Sequence, residues 1–163
     1  MTIKQLISSG QAGVDRAALE AGRLTNIPLG GWVARGGVTE DHPAPPGIRP
    51  MYPELWDAPW GHSSRLMEMN VRHGSATLIV VRDLARLTRS VNQALTLCVK
   101  HDRPHYVTDM TDRPSVLDWL TELPTDTVLN VTGPWESEQP GIYVEAVVFL
   151  SSLLRELVAG DES

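Results

Sequence analysis

Short apolar segments alternate with segments of helical periodicity along most of this chain. The apolar segments are rich in Val, Ile and Leu, and they span residues 3–8, 29–34, 76–82, 105–108 and 127–131. Helical spacing of apolar residues recurs over residues 14–24, 63–72, 90–100, 115–123 and 143–158. This alternation is typical of a parallel sheet covered by helices. The pattern therefore predicts an α/β fold with a mainly parallel sheet of about five strands.

Residues 42–60 break the alternation, because six prolines stand there among Met51, Tyr52, Trp56 and Trp60. Prolines at this density exclude a regular helix or a central strand. A long irregular segment inside a compact domain is often functional, and its aromatic residues predict that it packs onto the domain. We therefore expect one ligand-binding domain over residues 1–158 with an irregular insertion, followed by a frayed tail at 159–163.

Composition narrows the classes of function. The 163 residues include 14 Lys plus Arg against 20 Asp plus Glu, a net charge of -6 that disfavours a nucleic-acid partner. Cys98 is alone, which excludes a disulfide framework and a zinc site built on thiolates. The histidines show no metal-binding pattern, so we expect no metal site. No targeting segment or long apolar run is present, which predicts a cytoplasmic protein without a membrane partner.

The junction between the first predicted strand and helix carries the strongest local signal. It contains Gly10 and Gly13, which let the backbone approach a ligand and direct helix N–H groups at an anion. The alternative is a tight turn in which Asp15 stabilises the helix dipole. The residues of this candidate phosphate site are Ser9, Gly10, Gln11, Gly13 and Arg16.

A second glycine-rich stretch surrounds the second predicted strand. Gly31 and Trp32 lie in it, and Arg35 after it could clamp a phosphate or carboxylate. A bulged sheet edge is the alternative interpretation. Glu40 and Asp41 follow, either as solvated loop charges or as catalytic carboxylates.

Two further places supply candidate ligand contacts. Arg72 shares a predicted helix face with Arg65, so the two could reach one anion or could simply lie on the surface. Gly133, Glu136 and Ser137 follow the last predicted strand, and open parallel sheets bind ligands at the carboxyl ends of their strands.

The motifs resemble a known family when they are taken together and in order. They are residues 9–16, 30–32, 40–41, 70–72, 76–79, 130–137 and 140–143. In this combination the chain resembles the family of putative molybdenum carriers, and the resemblance extends from residue 5 to about 150. This family is regarded as a circularly permuted YpsA-like branch of the SLOG superfamily. The resemblance implies a three-layer Rossmann-like fold with helices on both faces of the sheet. It also implies a pocket for a nucleotide or nucleotide-derived ligand, and self-association into a homo-oligomer.

The relatives' chemistry leaves the ligand open. They include the Lonely Guy phosphoribohydrolases, which cleave the N-glycosidic bond of cytokinin nucleotides, and DNA-processing proteins that bind single strands. The molybdenum cofactor is itself a phosphorylated pterin, so a phosphate-binding loop suits a nucleotide or that cofactor.

This chain departs from the family at three places. The usual Gly-Gly-Gln-Thr-Gly is Ser-Gly-Gln-Ala-Gly at residues 9–13, and Cys-Pro-Lys-Gly-Arg is replaced by Val-Ala-Arg-Gly-Gly at 33–37. A Gly-Gly-Thr-like turn is replaced by residues 85–91, without glycine. If a phosphate contact is lost there, the ligand is different, smaller, or held through Arg86 and Arg89.

Three hypotheses of function follow. In the first, the protein binds a small phosphorylated ligand, with Arg16, Arg35 and Arg72 as charge partners and Trp32 or the proline-rich segment stacking on its ring. In the second, it is a nucleotide N-glycosidase using Asp15, Glu40 or Asp41. In the third, it is an oligomeric interaction protein with a decayed pocket. A carboxylate that converges with an arginine in one pocket would favour the enzyme.

Overall fold

The structure of the chain, a computed structural model, describes residues 3–161. Its helices and strands alternate as the apolar pattern predicts. In chain order they are β1 (Ile3–Ile7), α1 (Val14–Leu24), β2 (Leu29–Gly30), β3 (Trp32–Val33), β4 (Trp56–Asp57), α2 (Ser64–His73), β5 (Ala76–Val80), α3 (Arg89–Lys100), β6 (His105–Thr108), α4 (Arg113–Glu122), β7 (Thr127–Thr132) and α5 (Ile142–Asp161).

The main sheet has five parallel strands in the order β2-β1-β7-β5-β6. From β1 the chain proceeds outward to β2, whereas from β5 it proceeds outward to β6 on the other side. The last strand, β7, lies between β1 and β5. Because the two connections diverge, a crevice opens over the carboxyl end of β7, which is where open α/β sheets bind ligands.

Helices cover both faces of this sheet, since side chains alternate between the faces along each buried strand. On β5, Leu78 and Val80 join the large core formed with α1, α4 and α5. Ile79, the residue between them, packs against Val91 and Ala94 of α3. The fold is therefore a three-layer, Rossmann-like α/β domain, as the resemblance implies.

The strand predicted over residues 29–34 is two strands in different sheets. β2 pairs with β1, whereas β3 pairs in parallel with β4 in a separate two-stranded sheet. Gly31 separates them at φ +122°, and a Cβ there would lie 2.1 Å from the carbonyl oxygen of Ser8. Only glycine combines that backbone conformation with such a close approach. The continuous strand was therefore a wrong prediction, and it failed at this residue.

The proline-rich segment is irregular apart from β4, and it packs onto the domain as predicted. Ile48, Tyr52 and Leu55 are buried, and all three belong to the core that contains α1. A Cβ added to Gly10 would meet Ile48 at 2.4 Å, so the segment also covers the first loop. It thereby fixes the loop that the sequence singled out.

The last helix continues farther than the sequence indicates. α5 reaches Asp161, so the tail predicted from residue 159 is helical as far as the structure describes it, and residues 162 and 163 lie outside the described part. Most of its apolar residues are buried in the core, although Val144 and Val148 are exposed. The homo-oligomer stays a prediction. Within residues 3–161, no helix has both the length and the apolar character that crossing a membrane requires.

Candidate functional site

A cavity of about 430 Å³ lies at the carboxyl end of the main sheet. Its floor is formed by Ser9, just after β1, and by Asn130 and Thr132 of β7. The first turns of α2 and α3 form two walls, and the loop after β7 forms another. This volume is within the range of small-ligand pockets, and the position is the crevice expected from the strand order.

Asp15 joins three elements beneath the cavity. Its carboxylate accepts hydrogen bonds from the hydroxyls of Ser9 (2.5 Å) and Thr132 (2.8 Å), and from the backbone N–H groups of Ser9 and Gly133. Burial raises the pKa of Asp15 to about 6, although these hydrogen bonds oppose the increase. Two of the predicted residues, Ser9 and Asp15, therefore line the cavity, and the carboxyl group titrates near neutral pH.

The other residues of the first loop bind one another and a neighbouring loop. The side-chain oxygen of Gln11 accepts from the backbone N–H groups of Ala12 (3.0 Å) and Glu40 (2.9 Å). Arg16 donates to the carbonyl of Gly10 at 2.9 Å. These hydrogen bonds stabilise the first loop and hold it to the loop at residue 40. None of these residues lines the cavity.

Arg16 is engaged by an acid of its own chain. Its guanidinium donates to both carboxylate oxygens of Asp41, at 3.0 and 3.1 Å. Burial raises the pKa of Asp41, but hydrogen bonds from Arg16 and Thr39 lower it well below its usual range. A bidentate pair of this kind fixes the loop against α1. Asp41 is thus placed as a structural partner of Arg16, outside the cavity.

The start of α1, where the sequence predicts an anion, is covered by the loop after β7. The N–H of Val14 donates to the carbonyl of Pro134 at 3.2 Å, and the N–H of Glu136 donates to the carbonyl of Ala12 at 2.8 Å. At Gly13, φ is +116° and a Cβ would lie 2.4 Å from the Pro134 oxygen. The first N–H group of α1 is therefore bonded to the protein's own backbone.

The acids and hydroxyls beside this loop hold it to its surroundings. The carboxylate of Glu136 accepts from the N–H groups of Gly141 (2.6 Å) and Tyr143 (2.9 Å) at the start of α5. Glu40 accepts from the N–H and the hydroxyl of Ser137, at 3.0 and 2.6 Å. Glu40, Glu136 and Ser137 are brought together as a loop network, and none of them lines the cavity.

The first turn of α2 borders the cavity, and the sequence did not single it out. Ser63 stands before the helix, but its side chain caps none of the helix N–H groups. Within residues 3–161, the N–H groups of Ser64, Arg65 and Leu66 have no hydrogen-bond acceptor. A helix start with free N–H groups attracts anions. The Ser-Ser pair before an apolar helical pattern was the available sequence signal.

Arg89, in the first turn of α3, and Glu138, in the loop after β7, both line the cavity. Arg89 lines the cavity, and its guanidinium forms no ion pair with any residue that the structure describes. Glu138 accepts from the hydroxyl of Ser90, the neighbour of Arg89, at 2.5 Å and from the N–H of Trp135 at 2.8 Å. The sequence had named Arg89 with Arg86 as substitutes for a lost phosphate contact, and of the two Arg89 borders the cavity.

One wall of the cavity is aromatic and apolar. The rings of His62 and Trp135 meet edge to face at 5.6 Å, and Leu66 and Met67 of α2 lie beside them. The Nε2 atom of His62 is buried and has no partner among the described residues. Burial lowers the pKa of His62 and thereby favours the neutral ring. This wall suits a flat heterocycle that offers hydrogen bonds at its edge.

Four other predicted ligand residues lie away from the cavity. Gly31 and Trp32 belong to the strand break, where Trp32 packs edge to face on Trp56 at 5.5 Å. Arg35 is exposed in a 3-10 turn at Arg35–Gly37. Arg72 lies in the last turn of α2 and does not line the cavity.

The sheet order, the helical layers and the crevice define a protein of the Rossmann-like α/β class. Within this class, the model of the circularly permutated YpsA SLOG family matches residues 6–154, and the chain belongs to that family. The resemblance found in the sequence is thereby confirmed.

A solved structure supports this assignment. The chain is similar to a putative molybdenum carrier protein from Syntrophus aciditrophicus SB, with a TM-score of 0.79 and 27% sequence identity over 94% of this chain and 95% of the other. No curated protein sequence matches this chain.

Proposed function

We propose that the protein binds a nucleotide or another nucleotide-derived, phosphorylated small molecule in the cavity at the end of the sheet. One observation carries the proposal: Ser64 and Leu66, whose N–H groups are unpaired, line the same cavity as Arg89, whose guanidinium forms no ion pair within residues 3–161. Backbone donors and an arginine together are the groups that bind phosphate in proteins.

The remaining surface of the cavity suits the rest of such a ligand. The pair formed by His62 and Trp135 provides a face for a base or a pterin ring. Asn130 donates to Thr77 at 3.3 Å, and its side-chain carbonyl has no partner in the described part of the chain, so it is available to an exocyclic amine. An aromatic face for the base, an amide for its edge and donors for the phosphate are typical of sites that bind nucleotides.

The similar protein is named a putative molybdenum carrier, and a molybdenum-cofactor cargo would fit the same groups of this cavity. No cysteine lines the cavity, and among residues 3–161 no cluster of His, Cys, Asp and Glu side chains could hold a metal ion. The phosphate and ring of a phosphorylated pterin match the cavity, whereas a bare metal ion does not. A cofactor cargo would therefore be recognised through its organic part, and molybdate, an oxyanion, through the groups that bind phosphate.

The binding proposal is tested by calorimetric titration with AMP. Replacing Arg89 with Gln removes a charge-assisted contact, so we expect Kd to increase by roughly tenfold or more. Arg86→Gln is the matched control, because Arg86 is exposed three residues earlier and lies outside the cavity. Equal losses in the two variants, or no loss in either, would place the anion elsewhere. If the wild type fails to bind AMP or any other phosphorylated nucleoside, the ligand class is wrong.

A nucleotide N-glycosidase is the second candidate, favoured by the meeting of acids and an arginine. Asp15, Glu138 and Arg89 all line the cavity, and Asp15 has a pKa raised to about 6 by burial. A carboxylate could stabilise the cationic ribosyl centre or activate water there. Chromatography after incubation with AMP tests this: release of adenine that Asp15→Asn abolishes supports an enzyme, and binding without any release rejects it.

A further inference from the structure

Two carboxylic acids line the cavity that would receive the anion of the ligand. Asp15 lies beneath the cavity and Glu138 stands in the loop after β7, whereas Arg89 alone carries a positive charge among the described residues of the lining. His62 is the remaining titratable group that faces this space, and burial favours its neutral ring. When both acids are ionised, the lining therefore carries more negative than positive charge.

Asp15 is the acid whose charge is already opposed by its surroundings. It is 8% exposed, and burial raises its pKa to about 6 in the free protein. Charges that line a cavity of about 430 Å³ lie within roughly a Debye length of one another, about 8 Å at physiological ionic strength. A phosphate in the cavity therefore disfavours the ionised form of Asp15 further.

The neighbours of Asp15 can accommodate a proton on its carboxylate. β1 and β7 face it with the hydroxyls of Ser9 and Thr132, and each hydroxyl can accept a hydrogen bond as well as donate one. On its own helix, the charge of Arg16 is taken by Asp41. Rotation of one hydroxyl thus gives a protonated Asp15 an acceptor without any movement of the backbone.

We propose that Asp15 takes up a proton from solvent when the anion of the ligand binds, so that binding is coupled to pH. This inference rests on the proposed function, because it requires an anion in this cavity. The proton adds to a carboxylate oxygen, and no other covalent bond forms or breaks. Since the free protein has largely released this proton at neutral pH, the affinity increases as pH falls. The affinity decreases as pH rises between the pKa of the free protein and that of the complex.

The measurement is a calorimetric titration with AMP between about pH 5.5 and about pH 8, with the wild type and Asp15→Asn side by side. Ionisation of the AMP phosphate is common to both proteins, so the ratio of the two Kd values isolates Asp15. We expect Asp15→Asn to bind AMP roughly fivefold more tightly than the wild type at about pH 8, and the two to converge at about pH 5.5. The matched control is Asp118→Asn, which should follow the wild type at every pH, because Asp118 is exposed on α4 and lies outside the cavity.

A second measurement needs no variant. NMR of the ¹³C-labelled wild type follows the carboxyl carbon of Asp15 through its titration, and addition of AMP should move the midpoint upward by about one pH unit. A midpoint that stays in place or moves down, or a Kd ratio that is independent of pH, overturns the inference and leaves the nucleotide site intact. If the wild type binds neither AMP nor another phosphorylated nucleoside at any pH, both proposals fall.

Discussion

Replacing Asp15 with Asn tests how the buried carboxyl group beneath the cavity titrates. In the folded protein, burial raises the pKa of Asp15 from 3.8 to about 6. At pH values between these two pKa values, Asp15 holds a proton in the folded protein that it has released in the unfolded chain. Folding stability is therefore highest below the unfolded pKa, and it is lost as pH rises through the folded one.

The magnitude follows from the two pKa values. A difference of about two units corresponds to about 3 kcal/mol over the full titration, of which about 2 kcal/mol falls between about pH 4.5 and 7.5. Asparagine does not titrate, so the free energy of unfolding of the Asp15→Asn variant lacks this contribution. We expect the stability difference between the wild type and Asp15→Asn to decrease by about 2 kcal/mol across that interval.

The assay is urea unfolding followed by tryptophan fluorescence at several pH values, with the two proteins measured side by side. Subtracting the two curves removes the titration of groups that both proteins share. A difference that stays constant, or that grows as pH rises, would refute the reasoning. It would mean that the four hydrogen bonds to the carboxylate outweigh its burial and hold the pKa of Asp15 at or below its usual value.

Two further predictions concern the loops beside the cavity. Gly13→Ala should destabilise the protein by about 3 kcal/mol or more and lower Tm by roughly 6–12 °C, because its φ is +116° and a Cβ would lie 2.4 Å from the Pro134 oxygen. Thermal unfolding checks this, and an unchanged Tm would contradict the close packing of the two loops. Glu40→Gln should leave the Kd for AMP unchanged, because Glu40 binds Ser137 outside the cavity. Titration calorimetry checks this, and a large loss of affinity would return Glu40 to the site.

The layers of the fold could be predicted from the sequence because burial on both faces dictates continuous apolar strands. The segment 76–82 is nearly all Val, Ile, Leu and Ala, and β5 is fully buried. Residues 29–34 were predicted as one strand because the run is apolar on both sides of its glycines, and nothing in the local pattern marks a break at Gly31. Its separation depends on the close approach of Ser8, a contact across more than twenty residues that no local pattern encodes.

The site could be predicted only in part, for the same reason. Ser9 and Asp15, which line the cavity, could be singled out because they stand in and after the glycine-containing junction between the first strand and the first helix. Arg16 was predicted to bind a ligand, but its charge is taken by Asp41, and this pairing follows from the path of the chain over residues 16–41. The helix over residues 63–72 was predicted, but its start was not named as a ligand site, because serines before a helix are common and give no ligand signal of their own.

We place the anion of the ligand at the first turn of α2, away from the start of α1. Titration of the ¹⁵N-labelled protein with AMP, followed by amide chemical shifts, tests this most directly. We predict the largest shifts at Ser64, Arg65 and Leu66, with smaller changes at residues 10–13. Large shifts confined to residues 10–13, with residues 64–66 unaffected, would contradict the account and return the phosphate to the first loop.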